Sequence, residues 1–454
     1  MGASSILAGC GGDASGEDAG PRDAPSRPNF LLIVADDMRY DQLEYMPKVR
    51  RLLEEKGTAF TQARCNVPLC QPSRVGFLTG QASKHNHELS VGFYGSALAD
   101  HDNAIGRWMH DAGYRVGLFG KYVNWYDGLG GIDPPSGYEA WHELVDLDLD
   151  YGFRVRLASG VTTVDDEYST DYFARQATEF VDGGGPFLCI VTPTQPHAPS
   201  MPRRDLADAW SDVRWPVVDE VDVSDKPPWI QRLRALDEAD IEQIVSDARG
   251  ALRELSAVDD MVDRIVGAMD PAVLADTVVI FTSDNGIHFG EHRRRGSATK
   301  SGPYEVGLHV PLLVRGPGFE AGAEITAPSM VFQDINATLR ELGGAGAGLP
   351  HQAGVSLAAI AAGPDDHASR ILLHAIAQGF ETETGDGMTT GPDNPLGFRK
   401  LYRYPSREAA PEGPFTYEAY DLDDDPDEHA NWADDESRRD ERDRLESELD
   451  ALLA

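Results

Sequence analysis

Cations are scarce in this sequence. Of 454 residues, 40 are Lys or Arg against 76 Asp or Glu, a formal charge of −36. Such a surface repels nucleic acid and anionic lipid, which excludes a DNA- or RNA-binding role. Any site for an anion must gather its cations locally. The seven lysines (Lys48, Lys56, Lys84, Lys121, Lys226, Lys300 and Lys400) are therefore informative wherever one sits inside a motif. Cysteine is scarce too. Cys10, Cys65, Cys70 and Cys189 are too few for a disulfide scaffold, and their spacing matches no zinc pattern. No run of about 20 apolar residues occurs, so no helix of that kind spans a membrane. What is present is an ordinary globular mix, 41% hydrophobic and 26% charged, in a length that suits two or three domains with an ample core.

The first 28 residues stand apart. Ile6-Leu7-Ala8-Gly9-Cys10 is followed by Gly, Asp, Ser, Glu and Pro as far as Pro28. Leu7-Ala8-Gly9-Cys10 resembles a bacterial lipobox, in which the cysteine becomes the lipidated first residue and a flexible tether follows. On this reading residues 1–28 are a signal remnant and tether, Cys10 carries a lipid anchor, and the protein is exported to the periplasm or cell surface. The apolar stretch is short and no basic region precedes it, unlike a complete signal peptide.

From Asn29 the chain alternates short apolar β-rich runs with helical patterns, the signature of an α/β domain with a largely parallel sheet. Phe30–Val34, Val116–Phe119, Phe187–Val191 and Val278–Phe281 are near-continuously apolar, as strands buried on both faces should be. Helical patterns cover Met46–Glu55, Asp171–Val181 and the long stretch Asp237–Met269. After about Gly363 the character changes. Ile371–His374 and Phe398–Tyr404 read as strands and Ala433–Leu453 as a charged amphipathic helix. The expected organisation is a catalytic domain over 29–363 and a small α+β subdomain over 364–454.

Each buried strand delivers polar groups at its end. The first leads into Asp36-Asp37, the second into Lys121, the third through Thr192 to Gln195-Pro196-His197, the fourth into Ser283-Asp284-Asn285. If the strands are parallel, these groups emerge at one carboxyl edge, where open α/β folds bind ligands. An Asp-Asp pair and an Asp-Asn pair supply hard oxygen donors suited to Ca²⁺ or Mg²⁺. Caps and turns use the same residues, so one pair alone says little. Two pairs accompanied by cations on sister strands say much more.

Cys70-Gln71-Pro72-Ser73-Arg74 places a cysteine just before an expected helix start, with Pro72 in the first turn. The N–H groups there, with Arg74 beside them, form an anion site. Cys189 and Cys65 read instead as small buried hydrophobes.

This segment matches the Cys-x-Pro-Ser-Arg signature of the type I sulfatases, down to Thr79-Gly80, so the chain resembles that family from Asn29 to about Trp432. Asp36-Asp37, Gly120-Lys121, Gln195-Pro196-His197, Thr282–Gly286, Lys300 with Tyr304-Glu305, Val310-Pro311-Leu312, Arg315–Gly318 and Tyr420-Asp421-Leu422 follow in family order. The resemblance implies an alkaline-phosphatase-like α/β fold. It also implies a formylglycine made from Cys70 by a maturation enzyme, and one calcium ion held by Asp36, Asp37, Asp284, Asn285 and the modified Cys70. Arg74, Lys121 and Lys300 would hold the sulfate oxygens, and His197 is a candidate acid for the leaving oxygen. Gly120-Lys121-Tyr122-Val123-Asn124 and His85-Asn86-His87 resemble the N-acetylglucosamine-6-sulfatase branch, which suggests a sulfated carbohydrate as substrate. Many family members carry a histidine where this chain has Val123, which leaves the base of the elimination step open. Gln71 stands where that branch often has a second cysteine.

The competing functions are a phosphonate monoester or phosphodiester hydrolase with the same site, and a non-catalytic lipoprotein that binds sulfated glycans. Arg293-Arg294-Arg295 line a substrate mouth or form a solvated loop. Trp125-Tyr126 and Trp141-His142 are sugar platforms or, more commonly for such residues, buried aromatics. Asp146, Asp148 and Asp150 alternate with leucines as in a half-exposed strand, and Asp421–Asp427 reads as an acidic turn.

Overall fold

The computed structural model describes residues 27–90, 101–124, 126, 133–217, 220–295, 300–346, 348–376, 384–405 and 415–454. The expected lipid anchor, Cys10, and one expected platform residue, Trp125, lie outside them.

A ten-stranded sheet organises the chain. Its five middle strands are parallel, in the order Thr277–Ser283, Asn29–Ala35, Phe187–Thr192, Arg115–Gly120 and Ala140–Leu144. The margins are mixed. On one side Leu312–Arg315 runs antiparallel to Thr277–Ser283 and pairs with Thr58–Phe60, which is followed by Ala323–Ile325. On the other, Phe153–Leu157 and Gly160–Val164 form a hairpin whose last strand is solvent-exposed. A tight hairpin can only be antiparallel, whereas the middle strands are joined by helical crossovers.

Alternation along the central strand divides the core. Leu31, Ile33 and Ala35 face the helices Ser169–Val181 and Glu238–Ala268, through Phe173, Ala177, Leu252 and Val258. Phe30, Leu32 and Val34 face the helices Cys70–Thr79 and Val331–Gly343, through Val75, Leu78, Ile335 and Leu339. Helices on both faces explain why the strands read as continuous apolar runs. The long helix begins at a capping box in which Asp237 accepts from the Asp240 N–H.

The C-terminal part is a four-stranded antiparallel sheet of Ile371–Ile376, Gly385–Thr390, Arg399–Pro405 and Phe415–Asp421, covered by the helix Arg439–Leu453 through Leu445 and Leu449. Buried ion pairs join it to segments of the preceding part of the chain. Lys400 contacts Glu305 at 2.7 Å and Glu428 at 2.6 Å, and Glu305 also receives Arg64 at 2.6 Å.

His374 is part of this junction. Its Nδ1 lies 3.0 Å from the Cys65 carbonyl, which can only accept, so Nδ1 carries the hydrogen and Nε2 accepts from the Thr389 hydroxyl at 3.1 Å. Burial pushes its pKa down to about 3. The folded value lies below the unfolded one, so this contribution is complete above about pH 6.5 and is lost as the pH falls toward 3. Between pH 7 and 5 wild type should lose about 2 kcal/mol more stability than His374→Gln. Urea unfolding of both proteins at the two pH values checks this, and parallel losses would contradict it.

The structure differs from two expectations of the sequence. Asp146–Asp150 is not a strand: the strand ends at Leu144, and turns follow. Asp150 is buried rather than half-exposed, because its carboxylate accepts hydrogen bonds from the Ser169 hydroxyl and the Gln195 amide. Cys70 is the first residue of its helix, not the residue before it.

Candidate active site

The register of the middle strands brings their ends level. Ala35 pairs with Ser283, and Gly120 with Thr192. The residues that follow therefore share one edge. Gly120 has φ +123°, and a Cβ there would lie 2.1 Å from the Thr192 carbonyl, so only glycine lets the chain turn Lys121 into this edge. The Ser283 hydroxyl accepts from the Met38 N–H at 2.9 Å and ties the first and fourth strand ends together.

Three carboxylates meet three cations here. Lys121 Nζ lies 2.5 Å from Asp36 Oδ2. Arg74 places Nε 2.8 Å from Asp284 Oδ2 and a terminal nitrogen 3.3 Å from Asp36 Oδ2, and donates to the Lys121 carbonyl at 2.9 Å. Lys300 Nζ sits 2.9 and 2.6 Å from the two Asp37 oxygens and 3.6 Å from Cys70 Sγ. Arg74 is thus aimed at the carboxylates, not at the N-terminus of its own helix. Asp284 Oδ1 accepts from the N–H groups of Asp37 and Asn285, at 3.1 and 2.9 Å. Asn285 Nδ2 donates to Asp37 Oδ1 at 2.7 Å. His197 Nε2 lies 3.8 Å from Asp37 Oδ2.

The electrostatics follow from this packing. Burial opposes the charge on Asp36, but Lys121 and Arg74 outweigh it and hold the carboxyl well below the usual range. Burial, together with the Asp36 charge, pushes Asp284 up to about 6. Burial works against the Lys300 ammonium, yet Asp37 overrides it and raises the pKa. Burial and then Lys300 lower His197.

Two buried oxygens in this cluster, Asp36 Oδ1 and Asn285 Oδ1, have no hydrogen-bond partner. Buried polar atoms are rarely left so. Asp36, Asp37 and His197 each offer a ligand atom within 4.8 Å of the others. Unpaired, mostly carboxylate and amide oxygens fit a hard divalent cation. The charge count agrees. The three acids and three bases cancel, and a divalent ion would leave an excess of +2 for an anionic ester.

Other expected residues fall away from this cluster. Arg293 donates to the carbonyls of Glu220, Val221 and Leu233, and Arg295 to that of Arg234. Arg294 is buried over Trp229 and donates to the Lys300 carbonyl at 2.8 Å, so it supports Lys300 from behind. Tyr126 and Trp141 are buried with Tyr122 and Tyr138 in an aromatic cluster. Cys65 and Cys189 are buried. In the acidic turn, Asp425 accepts from the N–H groups of His429 and Ala430.

The burial of Arg294 and Asp150 was not legible in the sequence. An arginine in a run of three, or an aspartate alternating with leucines, carries no local sign of burial.

A parallel-centred α/β sheet here gathers acids, cations and a helix-start cysteine at one edge, with carboxylate and imidazole atoms close enough to share a metal ion. Residues 28–345 match the model of the Sulfatase family, and the chain belongs to that family. It is 30% identical over 368 residues to an arylsulfatase of Volvox carteri, covering 71% of this chain and 56% of that protein. It is 27% identical over 384 residues to N-acetylglucosamine-6-sulfatase of Homo sapiens, covering 79% and 68%. The chain spans about half the length of several curated relatives that it matches. A solved structure described as a complex with its substrate D-glucosamine-2-N,6-O-disulfate shares the fold, with TM-score 0.76 and 18% identity over 94% of this chain and 97% of that one.

Proposed function

We propose that this protein is a sulfuric ester hydrolase that cleaves sulfate monoesters of a sulfated carbohydrate, using a formylglycine derived from Cys70 and a bound calcium ion. The observation that carries this reading is the position of Lys300 Nζ, in reach of both Asp37 and Cys70 Sγ. One cation spans the acidic cluster and the residue to be modified.

Asp36, Asp37, Asp284 and Asn285 would hold the calcium, with the modified Cys70 beside them. When bound, these groups supply a polarised sulfate ester and a hydroxyl nucleophile directed at sulfur. Lys121, Lys300 and Arg74 hold the sulfate oxygens and stabilise charge that develops in the transition state. His197 delivers a proton to the leaving oxygen. Its lowered pKa makes the imidazolium a stronger acid that is populated on the acidic side of neutrality, so turnover through it favours weakly acidic solution.

A cavity of about 500 Å³ flanks the His197 loop, lined among others by Pro196, Ala198, Asp247, Arg253, Ile287 and His288. Its size suits a sugar-sized leaving group. Substrates named for the relative and the structural neighbour point the same way, to a sulfated glucosamine. Export, a maturation enzyme as partner and lipid attachment at Cys10 complete the reading. Among the described residues no helix is long and apolar enough to cross a membrane.

The test has two parts. Peptide mass spectrometry over Ala63–Arg74, from protein made with a formylglycine-generating enzyme, should show the aldehyde at Cys70. The matured protein should turn over aryl sulfate and glucosamine 6-sulfate esters in preference to aryl phosphonate esters. Preference for the phosphonate would make it a phosphonate hydrolase, and binding without turnover a glycan-binding protein. In the same assay Lys300→Ala should cost roughly 2–4 kcal/mol of transition-state stabilisation, about 30- to 1,000-fold in rate. An unchanged rate removes Lys300 from the reaction.

A further inference from the structure

The loop 195–201 carries His197 yet has few backbone bonds of its own. Pro196 and Pro199 have no N–H to donate. What holds the loop is a pair of buried carboxyls from elsewhere in the fold. At its start, the Gln195 side-chain amide donates to Asp150 Oδ1 and, at 2.6 Å, to the Ser169 hydroxyl, while the Gln195 carbonyl accepts from the Asp36 N–H at 3.2 Å. At its end, the Met201 N–H donates to Glu254 Oε1 from the long helix. The Tyr168 hydroxyl closes the ring, 3.1 Å from the Met201 carbonyl and 3.4 Å from Asp150 Oδ2. Gly250, one turn before Glu254, makes room for the loop: a Cβ there would lie 2.7 Å from Ser200 Oγ. Asp150, Glu254, Tyr168 and Gln195 are all buried.

We propose that Asp150 and Glu254 are positioning residues for His197, clamping the two ends of the loop that presents it. The inference rests on His197 acting in the reaction proposed above, but the clamp itself is a property of this chain.

The chemistry of the pair makes the clamp sensitive to protonation. The groups acting on Asp150 are Ser169, Tyr168 and Gln195, and those acting on Glu254 are Asp150, Ser200 and the Met201 backbone. None is a cation. Burial pushes Asp150 up to about 7, and burial with the Asp150 charge raises Glu254. Two acids without a counter-ion keep protons between them below neutrality and repel one another once those protons leave.

The experiment compares Asp150→Ala, Glu254→Ala and Asp150→Asn with wild type, all matured alike. Turnover is one readout. The other is the ring signals of ¹³C-histidine, with His197 assigned by His197→Asn and His142 as a control. Each alanine variant should lower kcat roughly 10- to 100-fold with KM little changed, the cost of misplacing a reacting group by about 1 Å. Each should shift the His197 signals while those of His142 stay. Asp150→Asn retains an acceptor for Gln195 and should restore kcat. It should also abolish the perturbation of the His197 ring signals expected of wild type near pH 7. Unshifted His197 signals and unchanged kcat in both alanine variants overturn the proposal, as does Asp150→Asn behaving like Asp150→Ala. If wild type turns over no sulfate ester, the function proposed above fails, and the ring signals still decide on the clamp.

Discussion

Cys70→Ala is expected to lower sulfate ester turnover by a factor on the order of 10⁴–10⁶, the scale on which enzymes lose rate when a covalent nucleophile is removed. The side chain is buried, with Sγ 3.6 Å from Lys300 Nζ, and heads a helix whose ten residues are all buried. Truncation to a methyl group removes one sulfur and leaves the neighbouring ion pairs intact. The unfolding free energy should therefore change by about 1 kcal/mol or less. Cys189→Ala is the control. That thiol lies in the core of the sheet, and its loss should cost stability while leaving the rate within a few-fold of wild type. Steady-state kinetics and urea unfolding of both variants suffice. Appreciable turnover by Cys70→Ala would falsify the proposed mechanism.

Removal of calcium should have the second largest effect. Without a divalent ion, Asp36, Asp37 and Asp284 are balanced only by Lys121, Arg74 and Lys300, which the proposed reaction would use for the sulfate. Dialysis against a chelator is expected to lower kcat/KM by at least a hundredfold, about 2.7 kcal/mol. Re-addition should restore it. Calcium at a hundred times its Kd should also raise the unfolding free energy by about 2.7 kcal/mol, since it binds only the folded site. Asp36→Asn, which replaces the carboxylate that carries one of the two unpartnered oxygens, should weaken calcium binding in calorimetry more than it weakens folding. No heat of binding, together with chelator-resistant turnover, would leave the acidic cluster as a purely structural ion-pair network.

Local composition carried the fold class. Four apolar runs without alternation imply strands covered on both faces, and the parallel centre of the sheet follows from the helical stretches between them. The mixed margins were not legible, because Thr58–Phe60 and Ala323–Ile325 are three-residue strands that owe their pairing to the neighbours across the sheet. The start of the long helix near Asp237 was readable from its pattern, whereas proline at 72 placed the other start after Cys70, which is itself the first helical residue.

By itself the sequence determined which chemical groups this protein holds and their order along the chain: Asp36-Asp37, Cys70 to Arg74, Lys121, His197, Asp284-Asn285 and Lys300. Tertiary structure alone decided which of these groups meet. Strand register brings Asp37 and Asp284 together across 247 positions of chain, and a loop return sets Lys300 on both Asp37 and Cys70. It also decided that Asp150 is buried under the His197 loop while its neighbour Asp148 is not. The reason is physical. A residue's type and spacing act over a few positions, whereas burial and ion pairing depend on which distant segments the sheet brings into contact.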